Sequence, residues 1–305
     1  MPRMVSASAP DAVLHRALLR PLPELTTLVV RGEERLTWLG RMITSDVKAL
    51  GVGAGAYSLL TNKTGRILAE VWLIVAADRL LLGVRRDLAE AVREHLEAHL
   101  VMEDAELSID EGNAWWIAYG PECAKVGGEA TRLDGCAGEG QLGTLGFSVL
   151  AVAHDATPNL ADELTLHSGA ELATPEAWER VRIERLVPTY GVDFEPGAYP
   201  QEARLERFAV SFEKGCYVGQ EAVYMLEKRG HAARRLVLLE LAGTAPPPRG
   251  AEVTAEDGTV AGTVTSACET NERSLALAML RYKHTATGTV LRVAEHTATV
   301  IAPTD

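Results

Sequence analysis

The chain has 305 residues, 47% of them hydrophobic and 24% charged, with a net charge of −12. These values describe a globular protein large enough to divide into subdomains; they exclude widespread disorder and a generally nucleic-acid-binding surface, which needs clustered Lys and Arg. No apolar run nears the ~20 residues of a bilayer span, Met1–Pro10 lacks the apolar stretch of a secretory signal, and the four scattered cysteines contain no CxxC pair, so the reading is a cytoplasmic protein without a disulfide framework or structural zinc.

Thr26–Arg31 is β-branched and apolar and predicts a strand. Glu33-Glu34 then open a helical stretch to about Ile43, with Leu36, Leu39 and Ile43 at core-facing spacing. Gly51-Val-Gly-Ala-Gly55 is glycine-rich, but a strand follows it, not the helix that a phosphate cradle requires. Strands are predicted at Tyr57–Thr61 and Ile67–Ala76, joined by the hairpin residues Asn62-Lys63-Thr64-Gly65, and at Arg79–Val84. Asp87–Leu100 is amphipathic and helical, and Ala105–Ile109, Ala114–Ala118 and Phe147–Val152 are further strands. Gly120–Gly146 carries no assignable pattern. Pro175 opens a helix to about Arg185, and Leu186–Arg204 is an irregular stretch long enough to suggest function. Six short strands between Leu236 and Ile301, separated by turn residues, predict a small β-barrel or sandwich.

The segment with the most chemistry is Lys214-Gly-Cys-Tyr-Val-Gly-Gln-Glu221. Gly215 and Gly219 relieve steric limits beside Cys216, and Lys214 with a helix starting near Gly219 would favour a thiolate. The alternative is a small buried cysteine in a helix-start turn.

That octapeptide resembles the signature of the YgfZ family, folate-dependent relatives of the glycine-cleavage T-protein, an aminomethyltransferase. Arg182-Ile-Glu184 with Pro188, Tyr190-Gly191 and Asp193, the element Ile43-Thr-Ser-Asp46, and the stretches Gly258–Ser266 and Leu275–Arg281 are similar to other family motifs in the same order. The resemblance implies an α+β fold, with two intertwined α+β subdomains in residues 1–235 and a C-terminal β-barrel in residues 236–305 around a central channel that holds tetrahydrofolate. It implies that Glu184 engages the pterin edge, unless it pairs with Arg180 or Arg185 on the helix surface. Tyr190 would pack against the ligand or serve as a core aromatic, and Asp46 would line the channel or cap its turn. Arg234 would meet a folate carboxylate, Tyr217 and Gln220 of the signature would also face the folate, and Cys216 with Lys214 would carry the chemistry. Lys228-Arg229-Gly230-His231 with Arg234-Arg235 form a basic cluster that would face glutamate tails or RNA phosphate, or be a solvated turn.

Two positions depart from the relatives. The transfer aspartate of the T-protein aligns with Ala69, with Glu70 next to it and therefore on the opposite face of a strand, which argues against glycine cleavage. Met225 stands where YgfZ proteins commonly carry arginine. The expected function is thus a folate-binding maintenance factor for iron–sulfur proteins, linked indirectly to tRNA modification, with Cys216 as the functional thiol. Its partners would be iron–sulfur proteins or assembly factors, with no resident metal, no direct RNA contact favoured by the acidic surface, and a monomeric state. The rivals are a folate-dependent one-carbon transferase and a non-catalytic folate-sensing scaffold.

Overall fold

The computed structural model describes residues 4–5, 15–142, 146–270 and 273–303. Apart from Met4–Val5, the segment Met1–Pro10 lies outside them. Two sheets are packed face to face, each covered on its outer side by helices. The five-stranded sheet is antiparallel, in the order Gly55–Thr61, Ile67–Val75, Leu80–Arg85, Leu25–Arg31, Glu106–Asp110. The six-stranded sheet runs Met4–Val5, Glu171–Ala173, Leu18–Pro21, Asn113–Tyr119, Phe147–His154, Cys136–Gln141.

Period-two alternation sorts the side chains. On Ile67–Val75, residues Ala69, Val71, Leu73 and Val75 join the core beneath the helices Arg35–Met42 and Ala89–Glu97. Ile74, out of phase with them, joins the core between the sheets with Trp115, Ile117, Leu150, Trp178 and Tyr190. So does Ile67, which lies beyond the irregularity where the pairing with Leu60 and Thr61 shifts register. A third core packs the helices Cys123–Arg132 and Leu160–Leu166 on the six-stranded sheet. The closed barrel of Arg234–Leu241, Ser274–Arg281, Val260–Glu269, Glu252–Thr254, Val290–Val293 and His296–Ile301 has its own apolar interior. The helix Pro175–Glu184, capped by Thr174, fixes the barrel to the sheets: Ile183 and Leu186 pack on Leu236, Leu238 and Leu277, while Trp178 and Val181 turn inward.

The stretch Gly120–Gly146 that gave no pattern holds the helix Cys123–Arg132 and the strand Cys136–Gln141, with residues 143–145 outside the described residues. Glycine content hid both elements, and packing demands it. A Cβ on Gly55 would lie 2.6 Å from the Gly138 carbonyl oxygen, where the edges of the two sheets meet. The strand Leu18–Pro21 and the helix Leu160–Leu166 also went unread. The predicted helix from Asp87 is split into a 3₁₀ turn at Arg86–Leu88 and the helix Ala89–Glu97. Residues 185–204 contain no helix or strand, and their backbone is held instead by tertiary bonds.

Gly219 is the N-cap of the helix Gln220–Arg229, with φ +85°. A Cβ there would stand 2.3 Å from the Asn62 carbonyl oxygen in the 62–65 hairpin. Gly219→Ala is expected to cost about 2 kcal/mol or more, from left-handed strain plus the displaced hairpin, read as a lower denaturant midpoint. Gly215 has open space around it and no positive φ.

Candidate functional site

The residues singled out in the sequence fall in separate places. Asp46, Lys214 and Gly215 share a surface cavity of about 260 Å³ with Gly40, Lys48 and Ala49. Cys216 is exposed beside it. The loop carrying it is pinned on both sides: Ser211 N–H donates to the Thr44 carbonyl (2.9 Å), Val218 N–H to the Arg41 carbonyl (3.2 Å), and Thr61 Oγ1 to the Val218 carbonyl (2.6 Å). The Lys214 ammonium donates to the carbonyls of Ile43 and Ser45, both at 2.7 Å, so it staples the loop. Burial lowers its pKa to about 8. Tyr217 is buried under Lys214, which lies 5.2 Å from its ring centroid. Gln220 Nε2 donates to the Lys214 carbonyl, closing the same loop. Asp46 accepts from Lys48 N–H at 3.2 Å, the turn-capping alternative.

The four cysteines differ sharply in access. Cys123 and Cys268 are buried, Cys136 is partly buried, and only Cys216 is exposed. Burial raises the Cys123 thiol and pushes Cys268 up to about 12. Iodoacetamide at pH 8 is therefore expected to label Cys216 at least ten times faster than Cys123 or Cys268, as read by peptide mass spectrometry.

Glu184 pairs with Arg180 at 2.8 Å, as the helix-surface alternative has it. Arg234 pairs with the buried Glu202 at 2.8 Å, and Arg235 pairs with Glu206, so these arginines clamp the first barrel strand to the 199–207 turn. Arg234 also lines a cleft of about 470 Å³ between Val192–Ala198 and the barrel. Met225 is 41% exposed on the outer face of its helix.

Tyr190 stands elsewhere, in a cavity of about 250 Å³ between the two sheets. Trp72, Trp178 and Tyr190 give it aromatic walls, and Arg20, Glu24, Glu70, Arg85 and Arg182 its polar groups. Most of these charges are already engaged. Arg20 pairs with Glu24, Arg85 holds Asp87 through two bonds at 2.8 and 2.9 Å, and Arg182 is bound by Glu179 and Asp193. Glu70 differs. Its Oε1 accepts from the Tyr57 hydroxyl at 2.5 Å, and it has no ion pair among the described residues. Burial raises its pKa to about 7, against the lowering effects of Tyr57 and Arg85. A carboxyl whose pKa is raised towards neutrality in an aromatic-walled cavity can both accept paired donors and exchange a proton.

In the sequence, alignment with the relatives points to Ala69 and leaves Glu70 on the opposite face. The alternation reverses that argument: Ala69 lies under the helices, and Glu70 and Trp72 are the side chains that enter the cavity. A carboxylate is thus on the cavity face after all, and the objection to one-carbon chemistry built on Ala69 falls. A lone acid inside Ile67-Leu-Ala-Glu-Val-Trp-Leu-Ile-Val75 was the signal that could have found it.

The loop that carries Tyr190 is held by a buried ion pair. The side chains of Arg182 and Asp193 are 4% and 0% exposed and 2.8 Å apart. Asp193 also accepts from Thr189 N–H, Thr265 Oγ1 and Ser266 Oγ, tying helix, loop and barrel together.

Residues 234–305 match the family model of the CAF17 C-terminal beta-barrel domain. The chain is 30% identical over 278 residues to the aminomethyltransferase of Rubrobacter xylanophilus, covering 84% of this chain and 73% of that protein. It is 27% identical over 311 residues to the aminomethyltransferase of Geobacillus sp. (strain WCH70), covering 93% and 84%. It is also 24% identical over 292 residues to the tRNA-modifying protein YgfZ of Sodalis glossinidius, covering 91% and 88%. Glycine cleavage system aminomethyltransferase T from Bartonella henselae superposes with a TM-score of 0.78 at 21% identity, covering 95% of this chain and 86% of that one. The α+β arrangement with a closed C-terminal barrel is therefore the aminomethyltransferase-like fold.

Proposed function

The chain belongs to the aminomethyltransferase family, with YgfZ-type and CAF17-type proteins among its relatives, and on that premise we propose that it binds tetrahydrofolate in the cavity beneath Glu70. The observation that carries this reading is the cavity carboxylate itself. A pterin presents paired N–H donors on an amidine edge, and Glu70 has one oxygen taken by Tyr57 and the other without a hydrogen bond among the described residues. Trp72, Trp178 and Tyr190 supply the flat walls such a ring requires. When bound, a reduced folate can carry a one-carbon unit. Glu70 would hold the pterin edge as a carboxylate and exchange a proton near neutral pH, while Tyr57 fixes its orientation and Tyr190, anchored by its hydroxyl to the Leu68 carbonyl, shapes the wall. Titration with tetrahydrofolate should quench the fluorescence of Trp72 and Trp178. No quenching, or quenching undiminished in a Trp72→Phe protein, would remove the reading.

A second element concerns Cys216, and its exposure on a pinned loop is what favours it. In this reading the folate-loaded protein serves iron–sulfur proteins or their assembly factors through that thiol, in the cytoplasm and as a monomer, with any effect on tRNA modification indirect. A single cysteine supplies one ligand, so a cluster contact would be shared with the partner. Residues 1–235 would form the folate-binding part and residues 236–305 the barrel domain. Full rescue of iron–sulfur enzyme activity by Cys216→Ser in cells lacking the native protein would exclude the thiol role and leave folate binding untouched.

A further inference from the structure

We propose that Lys228, Arg229, His231, Arg281, Tyr282 and Lys283 form a binding face for a short stretch of single-stranded nucleic acid. The proposal is independent of the folate reading. Two segments some fifty residues apart are brought together by the barrel: Arg234 and Arg281 are cross-strand partners, and Tyr282 N–H donates to the Ala233 carbonyl at 2.9 Å. The His231 ring lies flat on Tyr282, with centroids 3.8 Å apart and planes within 5°.

The grouping of charge sets this face apart. Several surface arginines are engaged by acids, as with Arg16, Arg20, Arg41, Arg93 and Arg132. Others such as Arg31, Arg207 and Arg292 are exposed without an ion pair among the described residues, but this face gathers four such cations beside a stacked ring pair. Lys228, Arg229, Arg281 and Lys283 are all exposed and form no ion pair among the described residues. Arg234 and Arg235, grouped with this cluster in the sequence, leave it by pairing with Glu202 and Glu206. Lys228 and Arg229 close the last turn of their helix, where cations are favoured whatever the function, and Lys283 lies in the 3₁₀ turn Tyr282–His284, but Arg281 ends a barrel strand and has no such reason to be there. The acids nearby are Glu202 and Glu206, already paired with Arg234 and Arg235, Glu227 on the same helix, and Asp257, which faces Lys283 and His284.

Cations around an exposed stacked ring pair suit phosphates flanking an unpaired base, the recognition mode of single strands. The outer face of His231 would stack on the base while the four cations meet phosphates. The net charge of −12 repels a polyanion from the rest of the surface, which limits the contact to a few nucleotides and disfavours a long duplex. An acidic peptide would use the same cations but not the rings.

The test is fluorescence anisotropy of a labelled ten-nucleotide oligouridylate at 50 mM salt, with a labelled hairpin duplex and a ten-residue oligoglutamate as comparison probes. The full chain should bind the oligouridylate, with a log–log salt slope of about −2 to −3 from three or four phosphates. Arg281→Glu with Lys283→Glu should weaken it at least tenfold and flatten the slope. His231→Ala should weaken it roughly five- to tenfold with the slope unchanged. Thermal melting of each variant separates lost binding from lost fold. Absence of binding by the full chain, equal binding by the charge-reversed variant, or oligoglutamate binding as tight and indifferent to His231→Ala would each overturn the proposal.

Discussion

Asp193→Ala is expected to destabilise the protein by about 3–5 kcal/mol, the usual effect of stripping a buried charge of its partner. The site explains the size. Asp193 has no exposed side-chain surface, and it gathers Arg182, Thr189 N–H, Thr265 and Ser266. Its loss leaves the Arg182 guanidinium buried with only the half-exposed Glu179 as a counter-charge. For a chain of this size the thermal midpoint should fall by roughly 10 °C. Arg93→Ala, which breaks surface pairs with Glu90 and Glu97, should cost less than about 1 kcal/mol in the same assay. Equal effects of the two substitutions would show that the Arg182–Asp193 pair does not hold the 187–194 loop in place.

Glu70→Gln should have opposite effects on stability and on ligand. The folded-state pKa of Glu70 is raised from 4.5 to about 7, so between those values the folded protein keeps a proton that the unfolded chain releases. Stability contributed by this group therefore falls as pH rises from about 4.5 to 7, and above pH 7 the ionised, partly exposed carboxylate costs on the order of 1–2 kcal/mol. Glutamine keeps the acceptor for the Tyr57 hydroxyl without the charge. The variant should match the native protein near pH 5 and exceed it at pH 8, by denaturant unfolding at the two pH values. Tetrahydrofolate affinity should move the other way, weakening roughly 10–100-fold at pH 8 with the loss of a charge-assisted bond. Cost in the free protein and gain in the complex are what a binding carboxylate, unlike a structural one, displays.

Much of the fold could be read along the chain because most of its elements carry their own periodicity. The strands Ile67–Val75 and Leu80–Arg85, the helix Pro175–Glu184 and the barrel strands all emerged from pattern alone. Elements built on glycine did not, since Gly127, Gly138 and Gly140 are set by close approach of neighbouring chains, which has no local signature. The site was less legible. Motif residues identified a family, but Lys214, Tyr217 and Gln220 proved to be engaged in building the loop around Cys216, and Arg234 and Glu184 in ion pairs. Glu70 could be assigned only once the face of its strand was known, because one residue of register separates a core alanine from a cavity carboxylate.

Isothermal titration with tetrahydrofolate, run on the native protein and on Glu70→Gln at pH 6 and pH 8, tests the central claim most directly. The carboxylate reading predicts binding by the native protein that tightens about tenfold from pH 6 to pH 8, and weaker, pH-independent binding by the variant. Equal affinity of the two proteins at both pH values would contradict it, since the cavity carboxylate would then not be what holds the ligand.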